Sequence, residues 1–253
     1  MSIYLKQFST HSEYEAYING SGAILPNVSI CTTEGDVHYN PYVDPCASEK
    51  VETTYEWVEI GGVKWATKNV GAKTITDYGQ YFSWGGVNGF TADQVSGSCH
   101  SKAFSWTDYE LANGSSSDIT KYNSSDGKTV LESVDDAATV NMGSGWRMPT
   151  TAEFQALGAA VNTAWTADYQ GSGVKGLVCT DKKDSSKVLF FPACGSCSNG
   201  GVYNVGSYGR YWSSSLNSSN AQYAYYLNFS SGSVNWQSNG SRYNGFPVRG
   251  VVG

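Results

Sequence analysis

Charge is scarce in this sequence: Asp, Glu, Lys and Arg together make up 15% of its 253 residues. Acids stop at Asp184 and histidines at His100, so a general base near the C-terminal third would have to come from the first part of the chain. Beyond Asp184 the only cations are Lys187, Arg210, Arg242 and Arg249. Four scattered cations do not make the stripe that phosphate backbones require, so no nucleic-acid partner is expected. No run approaches 18 apolar residues, so no membrane span is expected. The opening MSIYLKQFST lacks a basic segment followed by an apolar one, so no secretory signal is expected. The corresponding expectation is synthesis in a reducing cytosol, with Cys31, Cys46, Cys99, Cys179, Cys194 and Cys197 as free thiols. With 6 prolines against 29 glycines, many turns and few long helices follow. A hydrophobic share of 40% excludes disorder, and a chain of this length can bury roughly three quarters of its extended surface.

What is abundant is concentrated. Residues 198–245 consist almost wholly of Ser, Asn, Tyr and Gly, with Trp212, Trp236, Arg210 and Arg242 added and no acid. Tyr offers a large rigid contact area with only two torsions to freeze, while Ser, Asn and Gly supply adaptable hydrogen bonds. This is the composition of antibody binding loops, and it reads as a contact surface.

Along the chain, Thr10 with Glu13 forms a capping-box pattern ahead of Tyr14, Tyr17 and Ile18, predicting a short helix. Two extended runs around Glu34 and Gly35 predict a hairpin, so residues 1–52 read as a small helix-hairpin module for attachment or assembly, including homo-oligomers. A second domain, 53–253, opens with YEWVEI-GG-VKWAT, a hairpin turning on Gly61 and Gly62. The region that follows is rich in turns, with aromatics set singly among polar residues, and suits irregular loops pinned by buried rings. Ser133 with Asp136 opens a short helical segment, and Thr150 with Glu153 caps a longer one in which Phe154, Leu157 and Val161 make an inward stripe. VLFFPA predicts a buried strand, YAYYLNF and SVNW a strand pair around Ser231 and Gly232, and FPVRGVV a closing strand. On YAYYLNF, Tyr225, Leu227 and Phe229 share one parity, and Tyr226 and Asn228 take the other.

Chemistry-bearing spacings are few. Cys194-Gly-Ser-Cys197 could ligate zinc or cycle as a redox pair, but no second pair completes a four-ligand site. Calcium needs carboxylate ligands, which residues 198–245 do not offer. Asp135 and Asp136 read as charges favourable to a helix N-terminus rather than as a metal site. Trp57, Trp65, Trp84 and Trp146 read as core, and Arg249 as structural.

GGVKWATKNVGA, YGQYFSWG, DDAATVNMGSGWRMPTTAEFQAL, YWSSS, YYLNF and GFPVRGV together resemble the Fibrobacter major paralogous domain, which is similar to the formylglycine-generating-enzyme branch of the C-type lectin fold. Closer still, the chain is similar to variable proteins of diversity-generating retroelements in gut Bacteroidales and their phages, over 55–252. The resemblance implies an α+β, C-type lectin-like domain and a non-enzymatic ligand- or receptor-binding protein without cofactor, displayed on a virion or other surface structure, whose target is a protein or glycan on a cell. It also implies scattering of Asn codons into Tyr, Ser and Gly within 198–245. Composition and resemblance together give the expected ligand-binding residues: Tyr203, Asn204, Tyr208, Tyr211, Asn217, Ser219, Asn220, Tyr223, Tyr226, Asn228, Asn235, Gln237, Ser238, Ser241, Arg242 and Tyr243. Two alternatives stand beside this reading. One is a fixed, metal-independent carbohydrate-binding adhesin using Trp236 and nearby Tyr residues. The other is a copper-dependent oxidase using Cys194 and Cys197, although their spacing gives no residue-by-residue match to the enzyme family.

Overall fold

The computed structural model describes residues 32–33, 36–37 and 54–253. The chain divides into two compact units, Met1–Ser48 and Glu49–Gly253. In the first, β1 (Thr32–Thr33) pairs antiparallel with β2 (Asp36–Val37). The described residues show no more than this pair of the expected helix-hairpin module, and the helix expected over 12–18 lies outside them.

The second unit opens with β3 (Trp57–Ile60) and β4 (Val63–Ala66), which form a hairpin. Gly61 and Gly62 turn it at φ +63° and +78°, backbone that a side chain would strain. Then come β5 (Tyr81–Phe82), α1 (Ala92–Ser96), α2 (Ala137–Met142), β6 (Trp146–Arg147) and α3 (Thr151–Ala160). An antiparallel meander follows, made of β7 (Val161–Thr166), β8 (Gly176–Asp181) and β9 (Val188–Pro192). After the short pair β10 (Ser196–Ser198) and β11 (Gly201–Tyr203) runs the longest sheet, β12 (Tyr208–Leu216), β13 (Tyr223–Ser230) and β14 (Val234–Ser241). The chain closes with β15 (Phe246–Pro247) on β5 and β16 (Val251–Val252) between β4 and β6.

The expected α+β, lectin-like class is corrected by this architecture. Among the described residues strand outweighs helix, every sheet is small and antiparallel, and the longest α-helix has ten residues. The physical reason lies in the turns: glycines at positive φ reverse the chain repeatedly, leaving helices no length over which to grow. The single closing strand is likewise two short ones, interrupted by Arg249. Its buried guanidinium donates to Ala66 O at 3.0 Å, Phe190 O at 2.9 Å and Asn69 Oδ1 at 2.9 Å, a structural role as expected.

Local signals fared better. In α3 the Thr150 hydroxyl accepts from Glu153 N at 3.2 Å and the Glu153 carboxylate accepts from Thr150 N at 2.8 Å, a complete capping box. Phe154 and Leu157 point into the core, but Val161 belongs to β7, where it is still buried. In α2 the cap is Asp136 rather than Ser133, which sits in a preceding 3₁₀ turn; Asp136 Oδ1 accepts from Thr139 N at 2.9 Å.

Two apolar clusters flank the β12–β14 sheet. Tyr211, Leu227 and Phe229 join one, together with Trp65, Phe154 and the β8–β9 side chains. Trp212, Leu216, Ala224 and Phe246 join the other, with Trp84, Tyr122 and Met148. The parity expected on β13 therefore holds, but both of its sides meet a core. Between Trp212 and Leu216 the pairing with β13 shifts, and Ser213 to Ser215 carry the extra length. The Ser213 hydroxyl donates to Tyr225 O at 2.8 Å, which anchors the irregularity.

Candidate binding surface

Past Trp212 and Tyr226 the second cluster ends and the same side of the sheet continues as a rim. Register sets Arg210 opposite Asn228, one step beyond the Trp212 and Tyr226 pair, and Tyr208 opposite Ser230, two steps beyond it. Arg210 reaches Ser196 Oγ at 2.7 Å through Nη1, and its guanidinium carbon lies 5.6 Å from the Tyr208 ring centroid. Its Nε, and Oδ1 of the neighbouring Asn228, are buried polar atoms with no hydrogen-bond partner. Tyr203 on β11 pairs with Ser196, which brings it to the same rim; it is 48% exposed and Tyr208 38%, with Val205 exposed between them. Asn204, exposed at φ +61°, makes the turn that separates the two strands. No carboxylate takes part in these contacts.

The remaining expected residues fall into distinct places. Ser219 and Asn220 are exposed on the β12–β13 loop, whose shape Asn217 helps fix by accepting from Ser219 N at 3.0 Å. Asn235 and Gln237 are exposed on edge strand β14, where Gln237 Oε1 accepts from Gln155 of α3 at 2.7 Å. Tyr223, Ser238 and Ser241 are half-buried. Tyr226 is half-buried against Trp212 and Phe246, with ring centroids at 5.7 Å and 4.8 Å, and Tyr243 against Trp106 at 5.2 Å.

Two expected contacts are corrected outright. Tyr211 is wholly buried; its hydroxyl donates to Pro192 O at 2.7 Å and meets Cys194 Sγ at 3.1 Å. Arg242 is also wholly buried, packed 4.7 Å from the Trp84 ring centroid, and donates to Tyr109 Oη and to three backbone carbonyls. Tyr211 has the inward parity of β12, a position in which a large ring is core, and Arg242 is held by groups more than a hundred residues upstream. Arg210, absent from the expected set, could have been found by counting the strand pairing outward from Trp212.

Three cysteines belong to the core that includes Tyr211, Leu227 and Phe229. Cys179, Cys194 and Cys197 are free and buried, whereas Cys99 is disulfide-bonded, which corrects the expectation of six free thiols. Burial pushes the Cys194 thiol up to about 12, although the Tyr211 hydroxyl and nearby Arg249 act to lower it. Burial likewise raises Cys197, with Cys194 beside it acting in the same sense, so both carry their protons at neutral pH. Among the described residues no three His, Cys, Asp or Glu side chains cluster as a metal site would require, and no helix is long and apolar enough to cross a membrane. Trp236 lies half-buried over Gly158 of α3, where its ring faces the helix instead of solvent.

A family model described as the Lcl C-terminal domain matches residues 61–249. The match covers nearly all of the region over which the resemblance was drawn. No curated protein and no solved structure matches the chain.

Proposed function

We propose, for a chain that belongs to the Lcl C-terminal domain family, a non-enzymatic role in binding a macromolecular partner, with Tyr203, Tyr208 and Arg210 as the centre of the contact. The observation that carries this reading is the rim itself: two exposed tyrosines beside the half-buried Arg210 and Asn228, on a sheet fixed by cores on both sides. Tyr and Arg are enriched among residues that dominate binding energy at protein interfaces, and a rigid support keeps the entropy lost on binding small. The acid-free surroundings favour a partner that brings carboxylates to Arg210.

The same reading includes diversification by a retroelement and display on a virion or other surface structure, with residues 1–52 serving attachment. Burial divides the segment into positions where exchange leaves the fold intact and positions where it does not. Sequencing the segment in many copies of the gene tests this directly: variation is expected at Tyr203, Asn204, Tyr208, Ser219 and Asn220, with Tyr211, Trp212 and Arg242 constant. Equal variation at Tyr211 and Tyr203, or the lack of a near-identical template repeat and a reverse transcriptase gene nearby, would remove the diversification claim. Binding is tested separately by replacing Tyr203 and Tyr208 together with alanine. Affinity for a captured partner should collapse while the thermal midpoint stays put.

A further inference from the structure

Asparagine stands directly before glycine at six places in the chain. In this pairing a backbone nitrogen can attack the preceding side chain, because glycine has no Cβ to keep the carboxamide at a distance. Asn19 lies outside the described residues. At Asn88, Asn113, Asn199, Asn239 and Asn244 the fold decides whether the next nitrogen is free to react.

Within 198–245 it is not free. Gly200 N donates to Ala103 O at 2.7 Å and Gly245 N to Cys197 O at 2.9 Å. Gly240 faces Ala224 in the β13–β14 ladder, two residues before Arg242, whose N–H donates to Gln222 O at 3.0 Å. By the alternation of an antiparallel pair, the Gly240 N–H points at β13 as well. Each of these nitrogens reaches a side chain only after the structure around it opens. Asn88 is exposed, but Gly89 is hemmed in: an added Cβ would lie 2.5 Å from Gln80 Oε1 and 2.7 Å from Phe82 Cζ. Phe90 beside it is bonded to Tyr81 in both directions, at 2.9 Å and 3.0 Å, which holds the Gly89 peptide in place.

Asn113 and Gly114 differ on every count. Both are exposed, on a loop closed by Asn113 N donating to Asp118 O at 2.9 Å and by the bridge between Ala112 and Ile119. Among the described residues neither the Asn113 carboxamide nor Gly114 N has a hydrogen-bond partner. Nothing lies within 4 Å of the position a Gly114 Cβ would take, so the peptide has room to rotate.

We propose that Asn113 is a site of self-modification, at which Gly114 N closes a succinimide ring on the Asn113 side chain. Gly114 N bonds to Asn113 Cγ as the bond from Cγ to the side-chain nitrogen breaks, and the Gly114 amide proton leaves with that nitrogen as ammonia. Water then opens the ring at either carbonyl, giving aspartate or isoaspartate, the latter with an extra methylene in the main chain. The net exchange is water in and ammonia out, with no oxidant or reductant. Either product adds a negative charge to a loop that already carries Asp118, and isoaspartate also lengthens a loop tied across its base. Residues 198–245 meanwhile stay free of acid, which preserves the surroundings of Arg210.

The test is incubation of the folded full chain at mildly alkaline pH, sampled over time and digested for mass spectrometry, which reads the mass gained as each amide becomes an acid. Asn113 should convert at least about tenfold faster than Asn199, Asn239 or Asn244, with Asn88 between them. In urea the rates should converge, because the local sequence is the same Asn-Gly pair throughout. Asn113→Gln, which would have to close a larger ring, should abolish the first acidic species on ion exchange and leave the thermal midpoint unchanged. The proposal is overturned if Asn199, Asn239 or Asn244 keeps pace with Asn113 in the folded chain, if the ranking persists undiminished in urea, or if the first acidic species survives Asn113→Gln.

Discussion

Tyr211 and Trp212 are consecutive residues of β12, both wholly buried, and they belong to different cores. The strand pleat sends them to opposite sides, so the sheet that carries the binding rim is pinned from above and below. Replacing Trp212 with alanine removes a ring packed on Phe246 at 4.2 Å, and should lower stability by about 3–5 kcal/mol in a urea titration. Tyr211→Phe keeps the ring but loses its hydroxyl and leaves Pro192 O without that donor, for an expected loss of about 1–3 kcal/mol.

The rim should respond in the opposite way. Tyr203→Ala and Tyr208→Ala remove side chains that solvent already reaches, so calorimetry should find stability within about 0.5 kcal/mol of the parent. A loss comparable to that at Trp212 would show that these rings pack instead of presenting themselves.

Gly158 tests a close approach. Glycine inside a helix ordinarily costs about 0.5–1 kcal/mol relative to alanine, so Gly158→Ala would be expected to stabilise α3. Here the added Cβ would lie 2.5 Å from Trp236 Nε1. The variant should therefore be destabilised by about 1–3 kcal/mol and should shift Trp236 fluorescence as the ring is displaced.

The capping box predicts a pH dependence. Burial pushes the Glu153 carboxyl up, but the Arg147 guanidinium, at 2.8 Å and 2.5 Å, and the Thr150 N–H outweigh it and hold the carboxyl below its ordinary value of 4.5. A carboxylate lowered on folding adds stability that is complete above the unfolded value and disappears as pH falls through the folded one. Glu153→Gln should therefore flatten the decline in urea midpoint below pH 4.5. Asp136, which burial raises despite its hydrogen bonds, contributes with the opposite sign and is unchanged in that comparison. Thr150→Ala should cost about 1 kcal/mol at neutral pH.

Features whose cause lies within a few residues were legible in the sequence. Thr150 and Glu153 mark a helix start because the box closes over four positions, and Gly61 with Gly62 mark a turn because only their backbone tolerates it. The strand pair around Ser231 and Gly232 and the parity of Leu227 and Phe229 follow from the same local rules. The class of the whole did not follow, since it depends on which strands meet. The site was read by composition, which treats every Tyr and Arg in 198–245 alike. Register and burial divide them: Tyr208 lies beyond the edge of the second cluster, Tyr211 three residues on is core, and Arg242 answers to Tyr109, Tyr122 and Lys121, partners no local pattern could supply.

The Arg242 guanidinium has a thermodynamic corollary. Fraying of the 116–129 loop would strip it of two acceptors, and fraying of the 217–222 loop of another, while the desolvated charge would remain. Neither segment gains by melting alone, so the two should behave as a single cooperative unit, exchanging their amide hydrogens for deuterium with a common opening free energy despite their distance along the chain.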